Sequence, residues 1–207
     1  MVAALPVLMA YSLVGELLHE IAGTVMLALF VAHHILNRKA TAAMFRGRQT
    51  PERVFSTGVN LLLFLITVLL PLSGIVMSKH LYTFLPTKGL SATARTVHLL
   101  TSYWGFALMS LHLGLHLRRM FLPLRQRKAL LIALFCAFTL LAGYGAYAFV
   151  SRGLWAYMTL QNQFVYFDFD EPRILFFLDM LSIIAAFAWI GNTIQTVLHR
   201  IGGKHHG

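Results

Sequence analysis

Two histidines stand fourteen positions apart in the apolar segment HLLTSYWGFALMSLH, as His98 and His112, and an earlier segment, HEIAGTVMLALFVAH, repeats the interval as His19 and His33. In a helix, at 1.5 Å and 100° per residue, fourteen steps bring the second side chain to within about 40° of the first and about 21 Å further along. Two such helices side by side present four imidazoles as two facing pairs. A facing pair of imidazoles is what holds a planar iron macrocycle by its two axial positions, so the chemistry implied is one-electron transfer through two b-type haems.

The elements that must position these rings are membrane spans. Hydrophobic residues make up 58% of the 207 and charged residues only 12%, about half of what soluble domains carry. Several apolar runs approach the roughly 20 residues that cross a hydrocarbon core. The expected fold is one all-α integral membrane domain over 1–207, a bundle of about six transmembrane helices. Its spans cover about 1–14, 17–36, 56–77, 96–117, 129–150 and 174–198, the first short or truncated, with both haems between the second and fourth.

The formal charge of +10 would suggest nucleic acid in a soluble protein, but here it sits in short loops between apolar runs, and no nucleic-acid partner is expected. The loops after spans two and four, with the tail, hold twelve basic residues against one acid, Glu52. The opposite side holds five basic residues, Lys88 among them, against six acidic. Basic loops stay inside, so the second and fourth spans both run inward, the C-terminus is cytoplasmic, and the chain is a multi-pass protein of the bacterial cytoplasmic (inner) membrane, solvated by lipid. Cys136, the single cysteine, lies in an apolar run and excludes a disulfide or a cysteine-ligated cluster within the chain.

Because spans two and four are parallel, His19 pairs with His98 near the outer face and His33 with His112 near the inner. Gly23 and Gly105 fall near the histidine faces, where a missing side chain leaves room for a porphyrin, although glycine also serves close helix packing. Arg38 with Lys39, and Arg118 with Arg119, follow each inner histidine and offer cations to haem propionates, as Arg95 and Lys79 do outside; the competing reading is that they only enforce topology. His34 points about 100° away from His33. His116 shares the face of His98 but lies at the membrane edge, where it suits a quinone site, a proton path or a further haem. His80 and Asn60 are further polar candidates, Asn60 with helix-to-helix hydrogen bonding as its favoured role. The acidic loop with Asp168, Asp170 and Glu171 is either an external docking surface or a solvated loop, and LWAYMTLQNQFVYF before it suits the membrane interface.

With these segments assembled, MAYSLVGELLHEIAGTVMLALFVAHHILNRK, NLLLFLITVLLPLSGIVMSKHLYTFLP and ARTVHLLTSYWGFALMSLHLGLHLRR resemble the bacterial membrane family of flavinylation-associated cytochromes. More distantly, the chain is similar to the dihaem cores of cytochrome b and of ferric reductase-like membrane proteins. The resemblance covers about residues 9 to 120. It implies haem b and electron transfer across the cytoplasmic membrane towards an extracytoplasmic flavin-bearing or other redox protein, with His19, His33, His98 and His112 as ligands and a family histidine at the place of His116. The basic stretch that precedes the first span in that family is absent here. The donor expected inside is a quinol or a cytoplasmic reductase. No GxGxxG or soluble nucleotide domain is visible, so such a chain needs partners. Two other readings compete: a histidine-based metal or proton transporter, and a quinol oxidoreductase whose quinone pocket is lined by His116 and Arg119.

Overall fold

The computed structural model describes residues 1–44, 46, 48–86, 89–124 and 126–204, the last three of these by backbone only. Lys88 and Arg125, both counted in the charge asymmetry, lie outside the described residues, as does the side chain of Lys204. All regular structure among the described residues is helical. Five long helices carry the fold: α1 (Glu16–Leu36), α2 (Pro51–Met77), α3 (Ser91–Phe121), α4 (Lys128–Ser151) and α5 (Arg173–Lys204).

Four of them, α1, α2, α4 and α5, are long and apolar enough to cross a membrane. The six expected spans differ from this at two places. Residues 1–14 fold as short pieces, Val2–Ala4, Leu5–Met9 and Tyr11–Val14, and Gly15 at φ 81° turns the chain into α1. The helix α3 is 31 residues long, ample for a crossing, but its serines, threonines and histidines make it less apolar than the other four. Its polarity is tolerated because it faces protein. Thr101, Ser110 and other hydroxyls bond to carbonyls one turn back (2.6 and 2.7 Å), which satisfies them without water.

The helix α3 is the centre of the bundle. It packs between α2 and α5, and α5 in turn packs on α4. Phe106, Met109 and Leu115 of α3 and Met180, Ile183 and Ile184 of α5 form the core. Glycines permit the approach: a Cβ on Gly114 would lie 2.1 Å from the Ala188 carbonyl oxygen, and one on Gly145 would lie 1.9 Å from that of Ser182. Close backbone contact of this kind replaces the hydrophobic driving force that lipid does not supply between helices.

The helix α1 is different, because none of its side chains is buried. It leans on α2 and on the N-terminal pieces, leaving a cleft towards α3. Its N-terminal end is held by acid groups. The Glu20 carboxylate accepts from Ser78 Oγ (2.7 Å), Lys79 N (2.7 Å), Leu81 N (2.9 Å) and His80 N (3.3 Å), and so closes the end of α2. Glu16 accepts from Lys79 Nζ at 2.5 Å and from the Tyr11 hydroxyl at 3.0 Å. The hydrogen bond to Glu16 holds the Lys79 ammonium above its ordinary pKa. Halfway down, Phe30 and His34 rest on the Phe64 ring.

The acidic loop is partly committed inward. Arg152 bonds Asp179 and Glu171, each at 2.6 Å, and Tyr144 completes Asp179 at 2.7 Å. Burial opposes the Arg152 charge, but the two carboxylates outweigh it and hold its pKa above the ordinary value. Glu171 is thus part of an internal ion network, and Asp168 caps the Asp170 amide (3.0 Å). Residues 154–158 form a short helix with Leu154, Tyr157 and Met158 buried, so only part of the aromatic stretch is free to lie on an interface. Phe164, Tyr166 and Phe169 are exposed.

Candidate haem site

A cavity of about 1040 Å³, counting its open mouth, lies between α1, α2, α3 and the N-terminal pieces. Its walls are almost wholly apolar, with Leu5, Met26, Leu70, Ile75, Phe106 and Met109 among them. His19 enters from α1 and His98 from α3. The cleft beside α1 leaves the space between the helices open.

The two rings meet edge to face, with centroids 6.1 Å apart and planes at 71°. Two imidazoles on one metal ion, with metal–nitrogen bonds of about 2.0 Å and ring centroids about 1.1 Å beyond, stand about 6 Å apart. The observed spacing therefore fits an iron between them. His98 is oriented by α2: its Nδ1–H points at the Leu70 carbonyl oxygen and at Ser73 Oγ, each at 3.2 Å. That leaves Nε2 as the free lone pair, which is how metal-binding histidines are held. Gly74 makes the room, since a Cβ there would lie 3.2 Å from His98 Cε1. On the other side, Nδ1 of His19 is buried without a hydrogen-bond partner.

Gly23 lines the cavity with no atom within 4 Å of where a Cβ would stand, so its hydrogen faces open space. Gly105 also lines it, but its missing Cβ points at Ile66 Cγ2, 3.1 Å away, and so serves packing of α3 on α2 as well.

His33 and His112 are arranged differently. His112 donates from Nδ1 to Asn60 Oδ1 at 2.7 Å, again with α2 as the orienting helix. His33, on the exposed half of α1, makes no ring contact with His112; its ring lies 5.5 Å from His34, and that of His112 lies 4.7 Å from His116. The structure thus brings the His19 and His98 rings into contact and shows no ring contact between His33 and His112. None of His33, His112 or His116 lines the cavity.

The cations expected at the haem propionates have the following neighbours. Arg95 stacks over the Phe164 ring at 4.5 Å, Arg38 is exposed on the short helix Arg38–Ala43, and Arg118 lines a small inner recess with Glu52, Gln195 and His199. Lys79 pairs with Glu16, and His80 lies 3.7 Å from the same carboxylate. Sequence reasoning missed Leu70, Ser73 and Gly74. The available signal was Pro71 and Gly74 inside an apolar span.

Among the described residues no three His, Cys, Asp or Glu side chains converge in a way that could hold a metal ion directly. A family model described as prokaryotic cytochrome b561 matches residues 2–129, a stretch that runs through α1, α2 and α3 and includes all four spaced histidines. No curated protein and no solved structure matches the chain.

Proposed function

The chain belongs to the prokaryotic cytochrome b561 family, and from that premise we propose that this haem b-binding, multi-pass inner-membrane electron carrier is a two-haem protein spanning both faces of the membrane. The observation that carries the reading is the 6.1 Å separation of the His19 and His98 rings across an apolar cavity. His19 and His98 would hold the outer haem, and His33 and His112 the inner one. The inner assignment rests on the equal spacing within each helix rather than on a closed pair. Haem, when bound, supplies one-electron iron chemistry, and its potential is set by the axial ligands and their surroundings.

The residues of the chain do the rest. Leu70 and Ser73 fix the His98 ring and its tautomer, Gly23 keeps the cavity open, and the apolar lining excludes water. Glu20 ties α1, and with it His19, to the end of α2. The charge asymmetry of the loops supports a cytoplasmic C-terminus, with the His19 and His98 end outside. On that orientation electrons pass between a quinol or cytoplasmic reductase inside and an extracytoplasmic flavin-bearing protein outside, in keeping with the resemblance to the flavinylation-associated cytochromes.

The test is the haem-to-protein ratio of the purified protein in detergent, with its reduced-minus-oxidised visible spectrum. Two b haems per chain support the proposal. One haem restricts the protein to the outer site, and a colourless protein that binds zinc or copper overturns the reading.

A further inference from the structure

The helix α2 lines up with both histidines of α3. Its Ser73 hydroxyl and Leu70 carbonyl stand against Nδ1 of His98, and its Asn60 amide oxygen stands against Nδ1 of His112. Position numbers fall along α2 as they rise along α3, so the helices are antiparallel here. The acceptors are thirteen residues apart and the histidines fourteen, about 20 and 21 Å of helix. The match holds over four turns.

We infer that α2 is the positioning helix of the cytochrome, with Asn60 and Ser73 as the side chains that set the tautomer and electron richness of the two α3 histidines. A carbonyl or amide oxygen can only accept, so each histidine carries its proton on Nδ1 and presents Nε2. An acceptor on Nδ1–H pushes electron density onto the ring, makes it a stronger ligand and favours ferric iron, which lowers the potential. The two sites are unequal. His112 makes one short bond of 2.7 Å to a single side chain, whereas His98 divides its proton between two acceptors at 3.2 Å, one of them backbone. Asn60 therefore has more influence over its histidine than Ser73 has over His98.

This inference rests on the two-haem reading, and the experiment separates the two. Redox titrations monitored by the visible α-band are run on the wild-type protein and on Asn60→Leu, Asn60→Asp and Ser73→Ala at pH 8. His112→Ala and His98→Ala identify which component belongs to which site, and Ser110→Ala, whose hydroxyl bonds only the Phe106 carbonyl, controls for loss of a buried hydroxyl. Asn60→Leu should raise the potential of the component that His112→Ala removes, and Asn60→Asp should lower it. Ser73→Ala should raise the other component by a smaller amount, because the Leu70 carbonyl remains. Opposite shifts at position 60 cannot come from general loosening of the fold. Shifts of the same sign at position 60, or a shift in the component belonging to His98, overturn the role of Asn60, and an unmoved outer component in Ser73→Ala overturns that of Ser73. A wild-type protein with one haem, kept in His112→Ala and lost in His98→Ala, overturns the two-haem reading and the Asn60 assignment together, while Ser73→Ala still decides the outer half.

Discussion

Glu20→Gln should release the N-terminal end of α1 and speed the loss of haem. No side chain of α1 is buried, so its place depends on a few contacts, and Glu20 makes most of the polar ones. A glutamine oxygen in place of Oε2 keeps Ser78, Leu81 and His80 as neutral bonds, but its NH₂ group then meets the Lys79 amide N–H, where Oε1 accepted at 2.7 Å. One charge-assisted bond is worth about 1.5–3 kcal/mol. Turning the others from charged to neutral adds a fraction more, and solvent at this surface pulls the total back, leaving about 2–3 kcal/mol. At 1.4 kcal/mol per tenfold, the detached population of α1 rises about 30- to 150-fold. His19 leaves with it. The assay is transfer of haem from the outer site to excess apomyoglobin, followed by absorbance. The transfer rate should rise by at least about 30-fold, and Glu16→Gln, whose partner Lys79 is largely in water, should change it little. A Glu20→Gln rate within twofold of wild type refutes the clamp.

Gly145→Ala forces a Cβ onto the Ser182 carbonyl and should separate α4 from α5, whereas Gly143→Ala, with nothing within 4 Å, should be tolerated. At an overpacking cost of about 2 kcal/mol, the apparent Tm in detergent should fall by roughly 5 °C for the first and not for the second. Gly23→Leu pushes a side chain into the cavity and should lower the haem-to-protein ratio while the elution profile stays that of the wild type; Gly58→Leu, on α2 and outside the cavity, should keep full haem.

The apolar runs of α1 and α4 were legible almost to the residue, since a long hydrophobic stretch bounded by charge has few alternatives. The start of α2 was not. Pro51 at the first helical position and Thr50, whose side chain accepts from Arg53 N, begin the helix inside the basic loop, where Glu52 and Arg53 hide it from any hydropathy argument. Likewise α3 extends past both ends of its expected span. The His19 and His98 pair was legible from spacing together with the loop charges that make the two spans parallel. Periodicity fixes face and rise within one helix but not the height of one helix against another, and the same spacing pairs His33 with His112, whose rings the structure does not bring into contact. What orients His98 was not legible. A backbone carbonyl such as that of Leu70 has no sequence signature, and Ser73 matters only once α2 is seen to lie against α3. Asn60 was visible as a polar residue in a span, but its partner was not. The contact of Arg95 with the Phe164 ring was likewise not legible, because the two lie far apart in sequence.

The most direct test of the central claim is the haem content of His19→Ala and His98→Ala beside His199→Ala, whose ring bonds Glu52 at the inner end away from the cavity. The account predicts that the first two each lose the same spectral component while His199→Ala keeps the full complement. Retention of that component in either His19→Ala or His98→Ala would contradict it.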